Sequence, residues 1–240
     1  DLSRKKFYIF GGRYRAQQSG GNYTMYNDLW AFDVNTDTWA KVPVTGTERP
    51  VPRANSAMVY DDLNDQIVMF GGNSSGNGLR FNALNDTWIY DLKRNKWRKV
   101  TTPTAPSIRL YHSMVMDGAN KRILLYSGGG NNAFTGPFLN DMWAFNTDSN
   151  TWKKVWDRSM SRLPSPIARI NSALVEDRAR KRITMFAGHD DSSVGHRNDV
   201  WVFNSQNEWK RLNPGDTGTG AGCARFCACS PDFVKVDPNS

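Results

Sequence analysis

Four stretches of the chain are apolar at almost every position and then stop at glycine: Phe7–Gly12, Ile67–Gly72, Ile123–Gly129 and Ile183–Gly188. A strand that is apolar on both alternating sides must be covered on both, so each stretch predicts a β-strand inside a layered structure. Further along each unit the pattern becomes a strict alternation. Trp30 and Phe32, Trp88 and Tyr90, Trp143 and Phe145, and Trp201 and Phe203 fall on one face. Leu29 and Ala31, Thr87 and Ile89, Met142 and Ala144, and Val200 and Val202 fall on the other. Another run carries a single tryptophan, at Trp39, Trp97, Trp152 and Trp209, and a last one opens on arginine, at Arg53, Arg109 and Arg169. We denote the runs a (arginine-led), b (glycine-ended), c (alternating) and d (tryptophan-bearing). Four short strands per unit predict four-stranded antiparallel sheets and an all-β fold.

The units are copies of one another. Asn-Asp-x-Trp recurs at Asn27–Trp30, Asn85–Trp88, Asn140–Trp143 and Asn198–Trp201, a spacing of about 57 residues. A bulky aromatic face and a slim aliphatic face on every sheet interlock when each sheet packs its aromatic side on its neighbour's aliphatic side. Such packing is head-to-tail and tends to a ring. A buried Trp or Phe removes roughly 150–250 Å² from water, worth about 4–6 kcal/mol at most, so loss of one repeat tryptophan is expected to be severely destabilising.

Glycine closing run b, Asn-Asp-x-Trp in run c, a second tryptophan in run d and Pro-x-x-Arg before run a together resemble the kelch repeat, whose units are blades of a β-propeller. The resemblance covers Phe7 to Leu212 and departs from the family pattern in repeat 3, which reads Ser127-Gly128-Gly129-Gly130, and in repeat 4, where Gly188-His189 stands for the glycine doublet. It implies one propeller domain, with blade 1 at about 7–42, blade 2 at about 53–100, blade 3 at about 109–155 and blade 4 at about 169–212. The chain enters at run b of its first unit, and residues 230–237 read as an unpartnered run a. That segment either closes a ring of four by pairing with Phe7–Gly12 or begins a further blade; rings of the family usually hold five to seven. The opening residues are neither an initiator methionine nor a signal peptide, so the natural chain is expected to begin earlier.

In such a blade the b-to-c and d-to-a connections share one face, and they are the longer ones here, which makes that face the expected binding side. The arginines that open run a, Arg53, Arg109 and Arg169, with Arg225 as a fourth candidate, have two readings. They can clamp carboxylates of an acidic segment, as the resemblance implies for some kelch propellers, or pair with the rim aspartates Asp28, Asp86, Asp141 and Asp199 as structural salt bridges. Trp156 stands outside the repeat register beside Arg158 and Arg162, and Tyr14, Tyr23 and Phe134 lie in connections of the same side. Trp, Tyr and Arg dominate interface hot spots, so this group is the expected contact surface, unless Trp156 folds back on its own blade.

The formal charge of +8 raises nucleic acid as a partner. The rim aspartates offset most of the arginines on the long-loop face, and the aromatics are committed to the blades, so a protein is the expected partner and nucleic acid is not. Catalysis has thin support: histidine occurs only at His112, His189 and His196, and glutamate only at Glu48, Glu176 and Glu208. His189, Asp190, Asp191 and His196 are weak candidates for a zinc or iron site, with a solvated loop as the plainer reading. Cys223, Cys227 and Cys229 lack a fourth ligand nearby, and no cofactor is expected. The function expected is a non-catalytic scaffold or adaptor, with a sugar-modifying or metal-dependent propeller enzyme and a structural subunit of a large assembly as alternatives. No apolar stretch is long enough to span a bilayer, so membrane insertion is not expected. Cysteine usage leans towards the cytoplasm, while acceptor sequences at Asn22, Asn73 and Asn85 keep a secreted setting open.

Overall fold

The computed structural model describes residues 1–16, 21–77, 80–190 and 195–215. Four antiparallel sheets follow one another as blades of a β-propeller. Blade 1 holds β1 (Lys6–Tyr14), β2 (Thr24–Asp33) and β3 (Thr38–Lys41), and blade 2 holds β4 (Ala57–Asp61), β5 (Gln66–Phe70), β6 (Thr87–Asp91) and β7 (Lys96–Val100). Blade 3 holds β8 (Ser113–Asp117), β9 (Arg122–Tyr126), β10 (Asp141–Asn146) and β11 (Thr151–Asp157). Blade 4 holds β12 (Arg169–Ile170), β13 (Ala173–Asp177), β14 (Arg182–Asp190), β15 (His196–Phe203) and β16 (Trp209–Asn213). The only helical turn among the described residues is the 3₁₀ turn Gly118–Asn120, so no helix is long and apolar enough to cross a membrane.

Run a is β4, β8 and the β12/β13 pair. It breaks two residues after its arginine, where Asn55, Tyr111 and Asn171 adopt φ of 58°, 57° and 55°. These three left-handed residues are tied by main-chain hydrogen bonds, from Tyr111 N–H to the Asn55 carbonyl at 3.1 Å and from Asn171 N–H to the Tyr111 carbonyl at 2.9 Å. Run b ends in a bulge. The first residue of the doublet is left-handed and the second has φ near +100°, at Gly71 and Gly72 (60°, 99°), Ser127 and Gly128 (58°, 103°) and Ala187 and Gly188 (59°, 116°). The doublet of repeat 4 is therefore Ala187-Gly188, one residue earlier than the sequence suggested. The second position must be glycine where run a crosses it: a Cβ on Gly72 would lie 2.8 Å from Ser56 Cβ, and one on Gly128 the same distance from His112 Cβ.

The blades interlock as the alternation predicts. Leu29 and Phe10 of blade 1 pack on Trp88, Tyr90 and Trp97 of blade 2. Val68, Phe70 and Ile89 of blade 2 pack on Trp143, Phe145 and Trp152 of blade 3. Leu124, Met142 and Ala144 of blade 3 pack on Trp201, Phe203 and Trp209 of blade 4. Each junction also carries a main-chain bond, from the second residue of one doublet to the carbonyl of the next blade's arginine: Gly12 to Arg53 at 2.8 Å, Gly72 to Arg109 at 2.9 Å and Gly128 to Arg169 at 3.2 Å. The described residues thus contain three junctions. The expected closing strand at 230–237, Arg225 and the three cysteines lie outside them.

Candidate binding face

The arginine that opens each run a is riveted into its own blade. Arg109 has no exposed surface. Its Nε–H donates to the Ser107 carbonyl at 3.2 Å, Nη1 to the Ser127 carbonyl and to Asp141 Oδ1, both at 2.9 Å, and Nη2 to Asp141 Oδ2 at 3.2 Å. Trp143 Nε1–H donates to the same carboxylate at 2.7 Å. Arg53 with Asp86 and Trp88, and Arg169 with Asp199 and Trp201, repeat the unit. Burial alone would push the Asp86 carboxyl up, but Arg53 and then Trp88 hold it below the usual carboxylate range. Of the two readings of these arginines, the salt-bridge one describes Arg53, Arg109 and Arg169, and the clamp reading is corrected for all three: a guanidinium with its donors already used inside a blade cannot grip a partner.

Trp156 is also withdrawn from the contact surface. It pairs across to Met142 in blade 3 and lies buried between blades 3 and 4, edge-on to Trp209 with ring centres 6.2 Å apart. Arg158 and Arg162 beside it are exposed, and Arg158 Nη1 donates to Ser165 Oγ at 2.6 Å.

The b-to-c connection of blade 1, which holds Tyr14 and Tyr23, is partly strand. β1 and β2 continue past the Gly11 bulge as a hairpin, pairing Arg13 with Met25 and Tyr14 with Thr24. The hairpin leans on the blade 2 connection through a hydrogen bond from Tyr23 N–H to the Gly76 carbonyl at 2.6 Å. Tyr23 is half-buried, with the guanidinium carbons of Arg13 and Arg15 at 4.3 and 4.6 Å from its ring centre. Tyr14 is 59% exposed on the same hairpin.

Next to this hairpin the structure gathers the expected contact residue Phe134 with two aromatic residues that the sequence did not signal, Phe81 and Tyr111. Phe134, 54% exposed, lies 5.5 Å from Phe81 and 5.2 Å from Tyr111, ring centre to ring centre, and those two pack on Ala83, Leu110 and Ala133. Burial pushes the Tyr111 phenol up, and the nearby Arg13 guanidinium and Asn55 side chain offset part of that. Arg13 thus stacks on Tyr23 with Tyr111 within reach of its charge. The one available signal was positional: Tyr111 stands where the other repeats carry Asn55 and Asn171, and an aromatic residue in the left-handed region departs from the repeat without a local reason.

The weak metal candidates divide. His189 and His196 face each other across β14 and β15 with ring centres 4.9 Å apart, so these two and Asp190 lie in strands rather than in a loop. Asp190 is buried and ion-paired with Arg197, and Asp191 lies outside the described residues. Among the described residues no three histidine, cysteine, aspartate or glutamate side chains converge as a metal site.

Comparison with known proteins agrees with the geometry. The family model of the KLHDC2/KLHL20/DRC7 Kelch-repeats domain matches residues 2–232. The chain is 29% identical over 194 residues to Kelch domain-containing protein 3 of Homo sapiens, covering 78% of this chain and 46% of that protein. It is 28% identical over 206 residues to the dynein alpha chain of the flagellar outer arm of Chlamydomonas reinhardtii, covering 83% of this chain and 4% of that protein. Dynein regulatory complex subunit 7 of the same alga is 37% identical over 102 residues, 42% of this chain and 8% of that protein. The chain thus spans less than half the length of these relatives.

Proposed function

Since the chain belongs to the kelch-repeat family, whose members are typically protein-interaction scaffolds, we propose that it is a non-catalytic binding platform that takes an acidic segment of a partner protein on its long-loop face. The observation that carries this is the pairing of Arg13 and Arg15 around Tyr23 beside the Phe81, Tyr111 and Phe134 group. The Arg13 guanidinium, stacked on the Tyr23 ring, can turn its edge donors to a carboxylate, and the adjoining rings offer apolar contact to neighbouring residues of the same segment. Exposed Arg158 and Arg162 extend the basic rim. Rigid aromatics flanked by arginine are the side chains from which interface hot spots are built.

The test is fluorescence anisotropy with a labelled peptide rich in Asp and Glu around one aromatic residue, against a peptide with the acids replaced by Asn and Gln. Wild type should prefer the acidic peptide. Arg13→Ala with Arg15→Ala should weaken it by about tenfold or more, and Arg158→Ala with Arg162→Ala by about two- to threefold, as expected for a rim. Equal binding of the two peptides, or equal affinity of the first variant and wild type, would overturn the reading.

A second reading, a structural subunit of a motor assembly, is favoured by the two relatives named as dynein components. It expects a stoichiometric partner that protects Tyr14, Tyr23 and Phe134 together from solvent labelling.

A further inference from the structure

We propose that Ser165 is a phosphorylation site for a proline-directed protein kinase, and that Arg158 holds the phosphate once it is made. The inference does not depend on which partner the long-loop face takes. Ser165 lies in the connection from β11 to β12, where residues 161–168 belong to no strand or helix and Arg162, Leu163, Pro164 and Ile167 are exposed. The chain there reads Pro164-Ser165-Pro166, and a residue that precedes proline is held in extended backbone, the form in which a segment can be laid along a kinase cleft. Pro166 is buried, as are Pro50 and Pro106, each three residues before the arginine of its run a. That proline belongs to the repeat. The residue before it does not: Arg49 and Ala105 stand where Ser165 stands, so the blade itself has no need of a hydroxyl there.

A guanidinium already stands at that hydroxyl. Arg158 Nη1–H donates to Ser165 Oγ at 2.6 Å, and the carboxylate next to Arg158 is engaged elsewhere, Asp157 with Lys154 at 3.3 Å and with the Ser159 hydroxyl at 2.5 Å. The neighbouring hydroxyls are placed differently. A phosphate on Ser159 would meet the Asp157 carboxylate, and Thr102, the other described hydroxyl residue followed by proline, donates locally to the Thr104 carbonyl at 2.7 Å. The modification is a phosphoryl transfer from a nucleoside triphosphate. The Ser165 oxygen bonds to the γ-phosphorus, the bond from that phosphorus to the bridging oxygen breaks, the diphosphate leaves, and the hydroxyl proton passes to the kinase's base. A phosphoserine carries about −1.5 to −2 charge and three strong acceptor oxygens. The neutral contact to Arg158 would become a charge-assisted one, stapling the end of β11 to the approach to β12 and cancelling most of the positive charge of Arg158 and Arg162.

The test incubates the full chain with a proline-directed serine/threonine kinase and ATP and maps the product by mass spectrometry. Phosphorus NMR then follows the phosphate between about pH 4.5 and 8, across its second ionisation. The resonance is assigned by its loss in Ser165→Ala. Phosphate should map to Ser165, and its midpoint should lie at least about half a pH unit lower in wild type than in Arg158→Ala. Salt at about 1 M should erase most of that difference, since the pair is at the surface. Arg158→Lys, which keeps the charge without the fork, should restore part of the shift. Both variants change an exposed side chain and should fold as wild type does. A Ser165 left unmodified under conditions that modify a peptide of residues 158–170 would overturn the proposal. Equal midpoints in wild type and Arg158→Ala would overturn it as well, because the guanidinium would then have no part in holding the phosphate.

Discussion

Replacing Arg109 by leucine separates the structural role of the run-a arginines from a ligand-binding one. The substitution keeps much of the buried volume but removes the donors that satisfy both oxygens of Asp141 and the Ser127 carbonyl. Asp141 would keep only the Trp143 indole at 2.7 Å and a carboxylate 14% exposed. Removing one partner of a buried ion pair costs about 3–5 kcal/mol, against about 5–15 kcal/mol for a whole domain. Arg109→Lys keeps the charge but cannot make the two-pronged contact, so it should fall between leucine and wild type. The assay is urea unfolding followed by tryptophan fluorescence. With a slope of about 3 kcal/mol/M, Arg109→Leu should lower the midpoint by about 1–1.7 M. A second substitution, Asp141→Asn, in the leucine background should cost much less than it does alone, because the pair acts as a unit. A leucine variant within about 1 kcal/mol of wild type that nevertheless loses a partner would refute the rivet and restore the clamp.

Three further outcomes are expected. Trp97→Ala, at a fully buried position, should cost about 3–5 kcal/mol, whereas Trp39→Ala, at a half-exposed position, should cost roughly half as much or less, as read from thermal midpoints. His112 is buried, and burial, then Arg109, push its pKa down from 6.5 to about 3. The unfolded chain therefore binds the extra proton between those values, and its contribution to stability is full above 6.5 and falls as pH drops towards 3, by about 1.4 kcal/mol per pH unit. His112→Ser, the residue at Ser56 and Ser172, should flatten the urea midpoint between pH 7 and 5; an unchanged slope would place the acid sensitivity elsewhere. Gly72→Ala, with φ of +99° and a Cβ 2.8 Å from Ser56, should destabilise clearly more than Gly12→Ala, whose Cβ meets nothing within 4 Å; equal effects in urea unfolding would contradict the crossing of run a over run b.

The repeat was legible because each junction is made by residues of fixed type at fixed offsets. The aromatic and aliphatic faces followed from alternation alone, and the three junctions pair those very faces. The bulge of repeat 4 was misplaced because Ala187 and Ser127 take a left-handed conformation usually left to glycine; at Ser127 the hydroxyl has a single hydrogen for the Leu139 and Arg169 carbonyls, each 2.6 Å from its oxygen, and that oxygen accepts from Arg169 N–H at 2.8 Å. Sequence could not decide between clamp and rivet for Arg53, Arg109 and Arg169, since the answer depends on which carbonyls lie within reach of a guanidinium. Phe134 was among the expected contact residues, but its grouping with Phe81 and Tyr111 was missed because the three belong to two different repeats and meet only after the blades have stacked. The polar stretch from Arg13 to Arg15 read as loop, although main-chain pairing carries the strand beyond the bulge.

The hub through Asn55, Tyr111 and Asn171 is held by hydrogen bonds from amide to carbonyl. What that hub demands of evolution is a torsion angle, not a chemical group, so the substituents that project from it are at liberty to change. A tyrosine in place of an asparagine leaves the hub intact while giving the surface beside it a new ring, which offers a route by which a repeat built for sameness can acquire one distinct recognition feature at a time.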